Sequence, residues 1–218
     1  MVKNMKILEN FGIEFKDLNL LETALTHTSY SHEHNVPSYE RIEYLGDAVL
    51  ELVMSDYLYK NTTLPEGLMS KKRSEYVCEN ALYEYSKELH LEEKIRVGNG
   101  IIKPNKTVIA DVFEAVIGVI YLENGIEKVK ELFNAIIVPH IESGTVFLDD
   151  YKSVLQELVQ MDKKTLVYRV TGESGPAHNK SFEVEVSVDG IVFGRGVGHS
   201  KKEAEQMAAK DAYSKQAR

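Results

Sequence analysis

Apolar residues between positions 18 and 148 recur at the three- and four-residue spacing of amphipathic or buried helices. The pattern breaks at Pro37, residues 64–67, residues 98–104, Asn124-Gly125 and Pro139. No alternating strand is read in that stretch. Beyond Ser143-Gly144 the period changes. A short helix over residues 151–160 precedes strand-like runs at 165–171, 182–188 and 191–194, with Asp189-Gly190 as a hairpin turn. Phe182, Val184, Val186 and Val188 alternate with Glu183, Glu185 and Ser187, so the sheet buries one face and wets the other. A final helix from near Ser200 carries Ala204, Met207, Ala208 and Ala212 at helical spacing. This pattern predicts an all-α domain over residues 1–146. A small α+β domain follows over residues 150–218, in the order α-β-β-β-α with its helices on one face of the sheet.

With 218 residues, 43% of them hydrophobic, the chain can bury a sizeable core. The single cysteine, Cys78, excludes an internal disulfide framework and suits a reducing compartment. The N-terminus opens no apolar signal segment and no stretch reaches transmembrane length, so the expected location is cytoplasmic with no membrane partner. A net charge of −8 argues against a uniformly basic nucleic-acid binder, yet the charge is unevenly divided. Residues 1–149 hold 15 Lys and Arg against 24 Asp and Glu, whereas residues 150–218 hold 11 against 10. The first part can hold cations, and the second can present a local basic patch to phosphates.

The acids are patterned. In the run from Tyr39 to Leu50, Glu40, Glu43 and Asp47 fall within about a 60° arc of a helix, while Ile42, Leu45, Val49 and Leu52 point the other way. Like charges at that spacing repel unless a cation compensates, and a hard divalent ion bound by oxygen is the obvious candidate. A second segment, residues 108–122, is apolar nearly all round and carries only Asp111 and Glu114, one turn apart, with no basic residue within it. Burying two unpaired carboxylates costs several kcal/mol each. The simplest resolution is that they face the first acidic stripe and share metal with it. Oxygen ligands without a His/Cys cluster favour Mg²⁺ or Mn²⁺ over zinc, a chemistry suited to phosphodiester hydrolysis. Two plainer readings stand beside this one: a solvated acidic face, and salt bridges through Arg41 or Lys71, Lys72 and Arg73. A nucleophilic Cys78 lacks an oriented histidine and reads as a small buried hydrophobe.

Residues 40–50, Glu-Arg-Ile-Glu-Tyr-Leu-Gly-Asp-Ala-Val-Leu, and Ala110-Asp111-Val112-Phe113-Glu114-Ala115 followed by Ile117-Gly118 closely resemble the paired motifs of bacterial ribonuclease III. This is the double-strand-specific endoribonuclease, and the resemblance covers nearly the whole chain. It implies that Glu43, Asp47, Asp111 and Glu114 form an Mg²⁺ site, for which Mn²⁺ substitutes, and that Asp47 and Glu114 are the residues most directly catalytic. Glu40 and Glu66 match further acids near the scissile strand and the dimer cleft. The resemblance also implies a homodimer, with Gly46 and the apolar rows around it packed across the two-fold axis. Implied too are 5′-phosphate and 3′-hydroxyl products, processing of rRNA precursors and some mRNAs, and no small-molecule cofactor. Two departures are mild: Tyr39 stands where the family usually has Asn before the first Glu, and Cys78 where it has Asn after Arg73. The stretch around His27 is also family-like. A hydrogen-bonded structural role is the expectation there, beside contact with RNA or the dimer partner.

Residues 150–218 resemble a double-stranded-RNA-binding domain at Asp150-Tyr151-Lys152 with Leu155-Gln156-Glu157, at Gly175-Pro176-Ala177-His178 and at residues 198–204. The resemblance implies that Gln156 and Glu157 meet 2′-hydroxyls in one minor groove and that His178 enters the next. Ser200, Lys201 and Lys202 would meet phosphates at a helix N-terminus, so that A-form shape rather than base sequence is read. Glu205 replaces a lysine common in related domains, which shortens the phosphate clamp. Two rivals remain: a non-cleaving double-stranded-RNA-binding protein on the same fold, and a metal phosphohydrolase acting on small molecules.

Overall fold

The computed structural model describes residues 8, 11–145, 147, 151–161, 163–176 and 180–216. The chain divides into two compact units, residues 1–147 and 148–218.

The first unit is helical. Helices α1 (Leu18–Ala24), α2 (Thr28–His34), α3 (Glu40–Asn61), α4 (Glu66–Tyr76) and α5 (Glu79–Glu88) are followed, after a 3₁₀ turn at Glu92–Lys94, by three more. These are α6 (Lys106–Asn124), α7 (Ile126–Ile136) and α8 (Val138–Ser143). Helix α6 is its central rod. Asn105 caps it by accepting from the Val108 N–H at 2.9 Å, and eight of its Val, Ile and Phe residues are buried. At ~1.5–3 kcal/mol for each such side chain, this burial dominates the local energetics and holds α6 against α3 whatever the few charged residues prefer. The helix opens two residues before the apolar run, so it does include one basic residue, Lys106. That lysine turns away from the acids and donates to Asn80.

Two glycines set how close α3 and α6 come. A Cβ on Gly46 would lie 1.8 Å from the Glu114 carbonyl oxygen, and one on Gly118 would lie 2.6 Å from that of Ile42. Backbone therefore touches backbone at the crossing, which accounts for the buried row on α3: Ile42, Gly46, Val49, Leu50, Val53 and Met54. The expectation for Gly46 is thereby corrected: it packs inside its own unit, so it is not a residue of a two-fold interface. Leu52, expected on the buried stripe, is 61% exposed and joins Tyr44 (82%) and Tyr59 (76%) on an outward face. Pro139, expected as a break, sits in the first turn of α8, where its missing N–H costs nothing.

The second unit has α9 (Tyr151–Met161), β1 (Leu166–Ser174), β2 (Ser181–Val188), β3 (Ile191–Gly198) and α10 (Lys201–Gln216). The strands form an antiparallel sheet in the order β1-β2-β3. Asp189 and Gly190, with φ of 49° and 82°, make the hairpin turn. Strand β3 runs four residues beyond its expected end. Its Gly-Arg-Gly-Val-Gly sequence reads poorly as a strand, yet Gly194, Gly196 and Gly198 face α10 so closely that any Cβ would lie 2.2–2.6 Å from its backbone. Across from them, Ala204, Ala208, Ala209 and Ala212 are buried, while Met207, expected on that face, is 45% exposed. Val184, Val186 and Val188 fill the other side of this core. Among the described residues, no helix is long and apolar enough to cross a membrane.

Candidate functional site

The close approach of α3 and α6 brings Glu43, Asp47, Asp111 and Glu114 together. Burial raises Glu43 from its ordinary 4.5 to about 7, with Asp111, Glu40 and Asp47 adding to the shift. Glu114 is raised to about 8, by burial first and then by Asp47, Glu43, Asp111 and Glu51. Among the described residues, all the charges acting on these two are negative, so the salt-bridge reading through nearby lysines or arginines does not describe them. Arg73 turns instead to Glu51, at 3.8 Å, and to the Ser55 hydroxyl, at 3.1 Å. Plain solvation does not describe them either, since desolvation is the largest cause of both shifts. An acidic cluster raised in this way is short of positive charge, and its donors are all carboxylate oxygens. That combination fits a hard divalent cation. Among the described residues, no three His, Cys, Asp or Glu side chains converge into a ready-made metal cage. The acids are neighbours coupled by repulsion, compatible with an ion that keeps several of its waters.

Asp111 differs from the others. Burial raises its carboxyl, but the Tyr39 phenol donates to Oδ2 at 2.9 Å and works in the opposite direction. Tyr39 is itself buried, and its phenol is pushed up by burial and by Asp111, so it remains a protonated donor. Sequence reasoning registered Tyr39 only as a departure from the usual Asn and missed its contact across 72 positions. Its apolar ring predicts burial, and nothing in the local pattern points its hydroxyl at an acid.

Glu40 lies at the edge, exposed, and accepts from the Ser38 hydroxyl at 3.0 Å. Glu66 is not among the groups that shift Glu43, Asp111 or Glu114. It opens α4, accepts from Ser70 at 3.1 Å and lines a separate cleft of about 240 Å³ with Leu58, Tyr59, Met69 and Arg73. His27 caps α2, its Nδ1 accepting from the Ser29 N–H at 3.2 Å, the hydrogen-bonded arrangement expected of a structural histidine. Cys78 precedes α5 and donates to the Glu75 carbonyl.

In the second unit, Lys201 and Lys202 stand exposed in the first turn of α10. Ser200 uses its hydroxyl to accept from the Glu203 N–H at 3.1 Å, while Glu203 reaches back to the His199 N–H at 2.7 Å, a variant of the capping box. Lys201 and Lys180 both approach Glu173 at 3.4 Å. Against a desolvation cost, their bonds hold the Glu173 carboxyl below its ordinary range. Lys180 thus joins the basic edge that sequence reasoning assigned to residues 200–202. Glu205 holds Lys152 at 2.5 Å, which ties that lysine to α10. Gln156 is exposed on α9. The backbone of Glu157 lies in the same helix, its side chain falls outside what is described, and His178 lies outside the described residues.

Comparisons with known proteins agree with this division. The Ribonuclease-III-like family matches residues 17–141, and the double-stranded RNA binding motif matches residues 151–216. A protein named Ribonuclease 3 from Listeria monocytogenes is 46% identical, with 95% of each chain covered. Another from Streptococcus gordonii is 45% identical over 97% of this chain and 98% of its own. Among solved structures, the nuclease domain of ribonuclease III from Campylobacter jejuni, described with a region involved in dimer formation, aligns with a TM-score of 0.56 at 36% identity. It covers 62% of this chain and 96% of its own.

Proposed function

The chain belongs to the ribonuclease III family, and we infer that it is an endoribonuclease of double-stranded RNA acting through the carboxylates on α3 and α6. Residues 1–146 are the nuclease domain and residues 150–218 the duplex-binding domain. The observation that carries the reading is the acidic cluster, in which every charge acting on the half-buried Glu43 and Glu114 is negative among the described residues.

Glu43, Asp47, Asp111 and Glu114 would hold Mg²⁺, or Mn²⁺ in its place. Such an ion supplies, when bound, a water of lowered pKa and charge stabilisation at phosphoryl oxygens. The chain's own part is to release protons from Glu43 and Glu114 as the site fills, and to present Asp47 and Glu114 at the reacting phosphodiester. Glu40 borders that position, and Glu66 serves from its own cleft. Products carry 5′-phosphate and 3′-hydroxyl ends, as family members produce, and rRNA precursors and some mRNAs are the substrates. In the second domain, Lys201 and Lys202 at the start of α10 meet phosphates. Gln156, Glu157 and His178 contact the minor grooves, and Ser200 fixes the helix start that aims the lysines. The exposed row of Tyr44, Leu52 and Tyr59 on α3 supports a homodimer, whose two-fold symmetry suits antiparallel RNA strands.

The test is to incubate the protein with labelled RNA duplex, single-stranded RNA and RNA–DNA hybrid, in Mg²⁺ or EDTA. Cleavage of the duplex alone, and only with metal, is expected. Glu114→Gln should keep duplex binding while losing cleavage by about 100-fold or more, the scale of removing one preorganised electrostatic group. Near-normal turnover by a pure sample of that variant would overturn the assignment. The non-cleaving alternative is not favoured, because all four acids are intact and the relatives are ribonucleases.

A further inference from the structure

Tyr39 occupies the position before the first turn of α3, where Ser, Thr, Asp or Asn would cap the helix. It makes no side-chain cap. Its backbone N–H donates to the Thr26 carbonyl at 2.9 Å, and its ring is 4% exposed and tilted at 45° to the His27 ring, 5.9 Å away. The ring is therefore held by core packing on one side and by a backbone anchor on the other. Its one polar atom is spent on Asp111 Oδ2, at 2.9 Å. A carboxylate on a helix surface ordinarily samples several rotamers, and a buried donor of fixed position removes that freedom.

We propose that Tyr39 is a positioning residue of the acidic centre: its clamped phenol holds one oxygen of Asp111 in place and leaves the other to a divalent cation. The inference rests on the metal-site reading above and adds to it a residue outside the ligand set. Outer hydrogen-bond partners of this kind orient a ligand and sharpen its affinity, and their loss typically costs about 10–100-fold in metal binding or activity. A purely structural Tyr39 would instead contribute ring packing alone, which Phe preserves.

The experiment measures binding of Mn²⁺ alone to the full chain by calorimetry, for wild type, Tyr39→Phe, Asp111→Asn and the double variant, with thermal melting of each as a fold control. Y39F should bind Mn²⁺ about 10-fold more weakly. It should also lower kcat for duplex RNA while leaving KM unchanged, and the double variant should bind no more weakly than D111N. If Y39F binds within twofold of wild type while D111N loses affinity, the positioning role is overturned and the metal site stands. The positioning role is equally overturned if Y39F lowers the melting temperature without weakening Mn²⁺. If D111N binds as wild type does, the metal assignment of Asp111 fails and the role of Tyr39 falls with it.

Discussion

The two units each contain a place where glycine lets two backbones touch, and they use it to opposite electrostatic ends. At Gly46 and Gly118 the crossing of α3 and α6 brings four acids together and half-buries three of them, Glu43, Asp111 and Glu114, whose carboxyls are raised by burial first and then by neighbouring acids. Where Gly194, Gly196 and Gly198 meet α10, the contact is made largely with the backbone around Ala204, Ala208 and Ala212, and nearby charges lie in complementary pairs. Glu173 lies with Lys180 and Lys201, Glu205 with Lys152, and Asp211 with Lys215. Lys215, and to a lesser degree the Arg195 N–H, hold the Asp211 carboxyl below its ordinary range. The same packing device thus builds a site that must import a cation in one unit and a self-neutralised surface in the other. Burial of the charged groups makes the difference: a buried like-charged cluster cannot relax into solvent, whereas exposed ions find partners.

The most severe way to break the comparison is Gly46→Ala. A methyl group 1.8 Å from the Glu114 carbonyl has no room, and the nuclease unit should lose about 3 kcal/mol of stability. Helical circular dichroism of the full chain should then melt at lower temperature, while duplex binding by the second unit persists. Simultaneous loss of both signals would show that the two cores are not independent.

A smaller effect comes from pH. The folded-state carboxyls of Glu43 and Glu114 lie at about 7 and about 8, above their ordinary 4.5. Between about 4.5 and 8 the folded chain therefore binds more protons than the unfolded chain, and stability falls as pH rises through that window. In EDTA the melting temperature should drop from pH 5 to pH 8.5. Excess Mg²⁺, favouring the ionised carboxylates, should flatten that slope. A flat profile in EDTA would mean that the cluster is not protonated in the empty site and would erase the contrast with the second unit.

The smallest effect sharpens the other side. Glu173→Gln removes the carboxylate that Lys180 and Lys201 share. Fluorescence anisotropy with a short RNA duplex should show binding tightened by about threefold, the scale of an exposed ion pair, with a steeper salt dependence. Unchanged affinity would mean that these lysines do not meet phosphate.

Periodicity made the helical half and the α-β-β-β-α half legible, because both depend on local alternation that a single chain displays. The acids were legible for a related reason: Asp111 and Glu114 are conspicuous as charges in an otherwise apolar run. What stayed hidden depends on distance between backbones. A glycine in a helix or a Gly-x-Gly-x-Gly stretch reads as weak structure until a partner is seen to press against it, which is why Gly46 was expected at an interface and β3 was expected to stop at Gly194. Leu52 and Met207 were misassigned because spacing alone divides a helix into faces without saying how wide the buried face is.

The residue types and their periods thus determined by themselves that this chain would fold as two units and that α3 and α6 would carry the acids. Only the tertiary structure decided which atoms meet: that Tyr39 reaches Asp111 across 72 positions, that Lys180 joins Lys201 at Glu173, and that half-buried Glu114 feels Asp47, Glu43 and Asp111 together. Local pattern sets which face of an element is apolar. The approach of two elements, set by the absence of a side chain at a few glycines, sets the electrostatics.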